Sequence, residues 1–253
     1  MARFFVSADI TKASTVALDK KESRHALRVL RLKAGDVVDL FDGTGHAARG
    51  VVAGEREGQL LVSVDKSGAA AFADSVSEVP MDLAMALIKP EPMELAVQKA
   101  SELGVRSILP FVSERTVVKL SAERRAGKAE RWRKIALESC KQCGRKTPPA
   151  IAEVENFEAL IGRIPGYGAA LIAALSGKTV PMAEALGPEK PASVLVMIGP
   201  EGDFTAQETE RAVRAGARAV TLGPLVLRAE TAALYALSTA GFYYREVLHA
   251  AHN

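Results

Sequence analysis

From residue 81 onward the chain alternates apolar strand patterns with amphipathic helix patterns, and this alternation constrains the fold more than any other feature. Residues 81–88, 169–174 and 194–198 read as apolar strands, and residues 107–112 and 219–222 add two more. Strands apolar on both faces need cover on both, and a parallel sheet flanked by helices supplies it. Residues 92–103 read as a helix with Met93, Ala96, Val97, Ala100 and Leu103 inward and Gly104 as its stop. Residues 121–140 read as a long helix with Trp132, Ile135, Ala136 and Ser139 inward and Arg124, Arg125, Lys128, Arg131 and Lys134 elsewhere. Thr205-Ala206-Gln207-Glu208 is a capping box that opens a helix to about Ala215, closed by Gly216. The last helix, residues 230–247, is so poor in charge that burial on several sides is expected. It lies either at the domain centre or against another subunit, and the second is the expectation.

Residues 1–66 have a different texture. Short β-branched or alternating runs at 3–6, 37–41, 46–52 and 59–64 are separated by Asp42-Gly43-Thr44-Gly45 and Glu57-Gly58, which are turn signals. Between them, residues 23–32 read as a helix with Leu27, Leu30 and Ala26 on one face. Arg24, Arg28 and Arg31 fall at i, i+4 and i+7 on another, a basic stripe. A small β-barrel carrying a basic helix suits an RNA backbone. Residues 68–80 turn to Ala, Ser, Gly and acidic side chains and read as a linker with a break near residue 75.

Net charge is only +3, but residues 89–150 hold 14 basic against 7 acidic side chains. A local excess of that size suits a polyanion better than a small acidic molecule. No apolar run approaches the roughly 20 residues of a bilayer span, and residues 1–10 lack the pattern of a signal peptide, so the cytoplasm is expected. Cys140 and Cys143 form one C-x-x-C without a second pair or histidine at metal-site spacing, and they read as idle thiols near a helix end. No metal is expected.

The chemistry is signalled late in the chain. Ile198-Gly199-Pro200-Glu201-Gly202-Asp203-Phe204-Thr205 and, further on, Leu222-Gly223-Pro224-Leu225-Val226-Leu227-Arg228-Ala229-Glu230-Thr231 are two Gly-Pro turns. They sit at the carboxyl ends of strands expected to be adjacent, where open sheets place ligands. Neither a dinucleotide glycine fingerprint nor a phosphate-loop motif is present, and no nucleophile elbow occurs. The histidines, His25, His46, His249 and His252, are all remote from the turns. What remains suits a neutral base read by backbone hydrogen bonds.

Six strings, residues 197–204, 222–234, 92–105, 114–120, 132–145 and 25–36, resemble in order the family of 16S ribosomal RNA uridine-N3 methyltransferases (RsmE-like), within the knotted SPOUT superfamily. The resemblance implies an α/β SPOUT domain with a deep trefoil knot over residues 81–253, a linker at 73–80 and a PUA-like RNA-binding β-barrel over residues 1–72. The barrel motif would be His25, Arg28, Val29, Leu30, Arg31, Gly35 and Asp36. It implies S-adenosylmethionine against Ile198, Gly199, Pro200, Glu201, Gly202, Leu222, Gly223, Leu227, Thr231 and Ala232. It also implies a homodimer through the knot region, acting on 16S ribosomal RNA of the small ribosomal subunit.

Within that resemblance Arg228 is the expected electrostatic stabiliser of the reacting base, with Glu201 and Glu230 ordering the loop or the cofactor. RNA contacts are expected from Arg3, Arg24, Arg28, Arg31, Lys99 and Arg145. Three departures stand out: Leu225 where the family carries an arginine, Ala229 where it carries a threonine, and Pro90 and Pro92 where it carries Gly and Lys. Two other functions fit the same residues. One is a different SPOUT enzyme, such as a ribose 2′-O-methyltransferase on transfer RNA; the other is a non-catalytic RNA-binding assembly factor.

Overall fold

A computed structural model of the 253-residue chain describes residues 1–65, 79–118 and 122–248. Most of the expected linker, residues 73–78, lies outside the described residues, as do His249 and His252. The chain divides into two units, Met1–Asp74 with Leu137–Pro148, and Ser75–Ala136 with Pro149–Asn253. The sequence reading puts residues 137–148 in the second domain; by contact they cluster with the first.

In the first unit, β1 (Arg3–Phe5), β2 (Thr15–Ala17), α1 (Lys20–Arg24), β3 (Val37–Phe41), β4 (Ala47–Arg56) and β5 (Gln59–Asp65) build a sheet in the order β1-β3-β4-β5-β2. Its inner side chains, among them Phe4, Val38, Leu40, Val52, Leu60 and Val62, form one core with Leu18 and Ala26. Gly50 is required there, because a Cβ would overlap the Val62 side chain. Outside, Arg3, Asp39 and Arg49 are direct partners across β1, β3 and β4. Arg3 donates to the carbonyls of Lys141 (3.3 Å) and Gln142 (3.0 Å), capping the helix that ends there with a cation. Asp39 is 0% exposed, and its carboxylate oxygens have no hydrogen-bond partner among the described residues.

The basic stripe does not form as expected. α1 starts at Lys20, three residues before the expected helix, with Asp19 as its side-chain cap. From His25 to Val29 it widens into a π-helical turn, with Leu30 N–H reaching His25 C=O at 3.0 Å. Arg31 falls beyond it in the left-handed region (φ 56°), and Leu30, expected inside, is exposed. The 3.6-residue period therefore fails across 24–31.

The second unit carries β6 (Met81–Ala86), α2 (Pro90–Glu102), β7 (Ser107–Val112), α3 (Ala122–Cys143) up to residue 136, β8 (Ala150–Ile151), β9 (Glu155–Asn156), α4 (Phe157–Arg163), β10 (Ala169–Ala173), β11 (Val180–Pro181), α5 (Met182–Leu186), β12 (Val194–Ile198), α6 (Ala206–Arg214), β13 (Arg218–Thr221) and α7 (Ala229–Phe242). Its parallel sheet runs β11-β13-β10-β12-β6-β7-β8, with β9 also paired to β7. Every residue of β6 and β12 is buried, as the apolar runs require, and separate apolar cores cover the two faces. The one charged residue in β6, Asp82, is satisfied by Arg106 (3.0 and 2.6 Å) and by the Tyr167 hydroxyl (2.7 Å). Gly104 and Gly216 end α2 and α6 at positive φ, and the Thr205–Glu208 capping box is formed.

One expectation changes here. β12 and β13 are not neighbours, because β10 lies between them. The last helix is buried within its own chain along Ala229, Ala233, Ala236, Leu237 and Ala240, and bare on the opposite side, where Tyr235 is 48% and Phe242 56% exposed. It continues as a π-helical turn over Tyr243–Val247. Among the described residues, no helix is long and apolar enough to cross a membrane.

Candidate active site

The loops leaving β12, β10 and β13 enclose a cavity of about 570 Å³. Because β10 is the middle strand, its exit supplies Ala173, Ala174, Leu175 and Thr179 to the lining, none of which the sequence reading assigned. A short apolar strand ending in two alanines is the only sequence signal they carry. Lys89 and Pro92 at the start of α2 and Asp203 were missed as well. Of the expected residues, Ile198, Gly199, Pro200, Glu201, Leu222, Gly223, Leu227, Arg228, Glu230 and Ala232 line the cavity, whereas Gly202 and Thr231 do not. The Gly202 carbonyl instead accepts from Arg115 at 2.9 Å, and Thr231 sits on the exposed side of α7.

The first turn is closely held. Asp203 N–H closes it onto Pro200 C=O at 2.9 Å, and Phe204 then enters the core, stacked on Phe111 with centroids 6.1 Å apart. Gly199 is tightly enclosed, since a Cβ would stand 3.1 Å from both the Phe204 nitrogen and its ring. Glu208 is 4% exposed and accepts from Thr205 N–H and Glu114 N–H, both at 2.9 Å. On the cavity side Glu201 accepts from Lys89 N–H at 3.3 Å, and Asp203 from Leu175 N–H at 2.9 Å.

The second turn is different. Gly223 takes φ 115°, open to glycine, and hydrogen-bonds with the Thr221 hydroxyl at 3.3 Å. Leu225 and Val226 are 74% and 77% exposed. Arg228 occupies the N-cap of α7, at the positive end of the helix dipole. Its guanidinium is exposed and has no ion-pair or hydrogen-bond partner among the described residues, and Glu230 in the first turn of α7 does not take it up. A cation placed there is poised for an anion from outside the chain.

The expected RNA contacts divide into two groups. Arg24, Arg28 and Arg31 are exposed on the first unit. Arg145, expected at the surface, is only 6% exposed, and burial pushes its pKa down against the opposing pull of Cys140 and Cys143. Arg3 is committed to the end of α3, and Lys99 is paired with Glu102 at 2.8 Å. Cys140 and Cys143 are free thiols. A hydrogen bond from Cys140 lowers the Cys143 pKa although burial opposes it, and the same bond together with burial raises that of Cys140. No cluster among the described residues is arranged to hold a metal ion.

Residues 75–241 match the family model of an RNA methyltransferase domain, and residues 18–65 that of an RNA methyltransferase PUA domain. The ribosomal RNA small subunit methyltransferase E of Bacillus subtilis is 30% identical over 252 residues, covering 96% of each chain. A crystal structure of ribosomal RNA small subunit methyltransferase E from Neisseria gonorrhoeae, bound to S-adenosyl methionine, matches with a TM-score of 0.84 at 30% identity, over 96% of this chain and 98% of that one. A putative methyltransferase from Legionella pneumophila, in complex with the same cofactor, matches with a TM-score of 0.83 at 29% identity, over 94% and 96%. A cavity at parallel strand ends, a separate PUA unit and near full-length similarity agree, and the chain belongs to the RNA methyltransferase family that contains the ribosomal RNA small subunit methyltransferase E proteins.

Proposed function

We propose that this RNA methyltransferase transfers a methyl group from S-adenosylmethionine to N3 of one uridine in 16S ribosomal RNA. The observation that carries the reading is the cavity at the β10, β12 and β13 ends with Arg228, unpartnered among the described residues, in its lining. The lining suits that cofactor. Ile198, Leu222 and Leu227 offer apolar surface to a flat heterocycle, the loop backbones offer hydrogen bonds to its edge, and Glu201 and Glu230 offer carboxylates to cationic groups. The relatives bound to the same molecule support it.

The cofactor, when bound, supplies the methyl group as an electrophile; the chain's residues prepare the other partner. N3 of a paired uridine is blocked, so the base must be unpaired or flipped out. Loss of its proton spreads negative charge over O2 and O4. Arg228 stabilises that charge, since a guanidinium at a helix N-terminus adds its field to the helix dipole. Glu201 and Glu230 order the loops around it.

Residues 1–72 act as the PUA-like RNA platform and residues 81–253 as the SPOUT methyltransferase domain with its trefoil knot. Arg24, Arg28 and Arg31 bind the RNA backbone electrostatically. The bare side of α7, with Tyr235 and Phe242, supports a homodimer through this helix. A ribosomal RNA substrate is consistent with the cytoplasm.

The test is labelled methyl transfer onto small subunits purified from cells lacking this protein, followed by digestion to nucleosides. The label is expected in 3-methyluridine; label in a ribose-methylated nucleoside, or in none, overturns the reading.

A further inference from the structure

We infer that Asp203 is a positioning residue for the cofactor, tying together two of the loops that form its cavity; this rests on the proposed cofactor reading. Asp203 is a non-glycine residue at φ 62°, a left-handed conformation that L-residues other than Asn and Asp seldom adopt. A strained position of that kind persists when the surroundings reward it. The reward is visible on the side chain: Oδ2 accepts the backbone N–H of Leu175 at 2.9 Å.

The bond matters because of where Leu175 stands. β10 is the middle of the three strands whose ends form the cavity. Its ladder runs one residue past the strand, where Ala174 N–H donates to Val220 C=O at 3.1 Å and so holds the exit to β13. The next amide, on Leu175, turns the other way and is taken by Asp203 in the turn after β12. The exit of β10 is therefore fixed from both neighbours, and Ala173, Ala174 and Leu175 are presented to the cavity in one arrangement. Without the carboxylate, Leu175 N–H loses its acceptor and the middle loop is held from one side only.

The sequence context sharpens the point. A glycine at 203 would adopt the same φ without strain, so an aspartate here exchanges backbone ease for a side-chain acceptor. The turn itself does not depend on that acceptor, because Asp203 N–H to Pro200 C=O, the packing of Phe204 and the Glu208 capping box hold it separately.

The experiment compares Asp203→Ala, Asp203→Gly and Asp203→Asn in the full chain, by calorimetric titration with S-adenosylmethionine and steady-state kinetics with small-subunit RNA. Asp203→Ala and Asp203→Gly are each expected to weaken cofactor affinity and raise its KM by about tenfold, with a smaller effect on kcat. Asp203→Asn keeps an amide oxygen facing Leu175 and is expected to restore affinity to within about twofold. Hydrogen exchange at the Leu175 amide should accelerate in the Ala and Gly variants and stay slow in Asn. Wild-type affinity in Asp203→Gly would overturn the inference, because relief of strain would then be the whole effect. Equal loss in all three variants would overturn it too. Wild-type protein that takes up no cofactor would overturn the cofactor reading and this inference with it, whereas wild-type binding with unchanged variants would overturn this inference alone.

Discussion

The two glycine turns look alike in sequence and are built in opposite ways. Residues 199–205 are anchored on every side: Arg115 on the Gly202 carbonyl, Glu208 on two backbone amides, Phe204 in the core, and Glu201 and Asp203 on the neighbouring loops. Residues 223–226 are exposed, and Leu225 and Val226 make no hydrogen bond to a neighbouring loop among the described residues. The lesson is that similar strand-turn-helix grammar can serve two purposes. One turn holds its shape as a wall of the cavity, and the other presents residues outward, with a single guanidinium at its end.

The largest effect should come from the outward turn. Arg228→Ala is expected to lower kcat by about 100-fold or more, the usual scale for losing a charge-stabilising donor. Binding of S-adenosylmethionine, followed by calorimetry, should survive; if binding and turnover fall together, Arg228 belongs to the cofactor wall and the contrast between the turns dissolves.

Stability should respond in the anchored turn instead. Glu208→Ala removes a buried acceptor shared by Thr205 and Glu114 and should destabilise the fold by about 2 kcal/mol in urea unfolding. A glycine pair then sharpens the difference. Gly199→Ala forces a methyl against Phe204, with an expected loss of about 1–3 kcal/mol of stability. Gly223→Ala has open space around it but a forbidden φ, and its loop can relax when empty. It should weaken cofactor affinity about fivefold, near 1 kcal/mol, and leave the melting temperature almost unchanged. Equal melting temperatures for the two variants would mean the turns are held alike. The smallest effect is expected from Leu225→Ala, within about 0.5 kcal/mol of wild-type stability, because its side chain is already in solvent.

Local signals were legible in the sequence and non-local ones were not. The Thr205–Glu208 capping box, the glycines closing α2 and α6, and the buried runs of β6 and β12 are written within a few residues each. The place of β10 between β12 and β13 depends on strand order, which no local pattern encodes, so a third of the cavity's loops went unassigned. The stripe of Arg24, Arg28 and Arg31 failed because a π-helical turn changed the period on which it was read. Arg145 failed because an arginine in a basic stretch reads as solvated, and only the three-dimensional packing buries it.

The Arg3 cap on the end of α3 has a consequence for how the chain is made. The N-terminal unit is discontinuous, and its outer strand face is joined to residues that lie some seventy positions beyond the last strand of its sheet. A chain emerging from the ribosome can assemble the sheet of strands β1 through β5 early, but it cannot cap Lys141 and Gln142 or neutralise Glu22 with Lys141 until those residues are also out. The first unit therefore finishes folding only after residues 75–136 of the second have been synthesised, and a fragment cut at residue 74 would carry the strands without their closing piece.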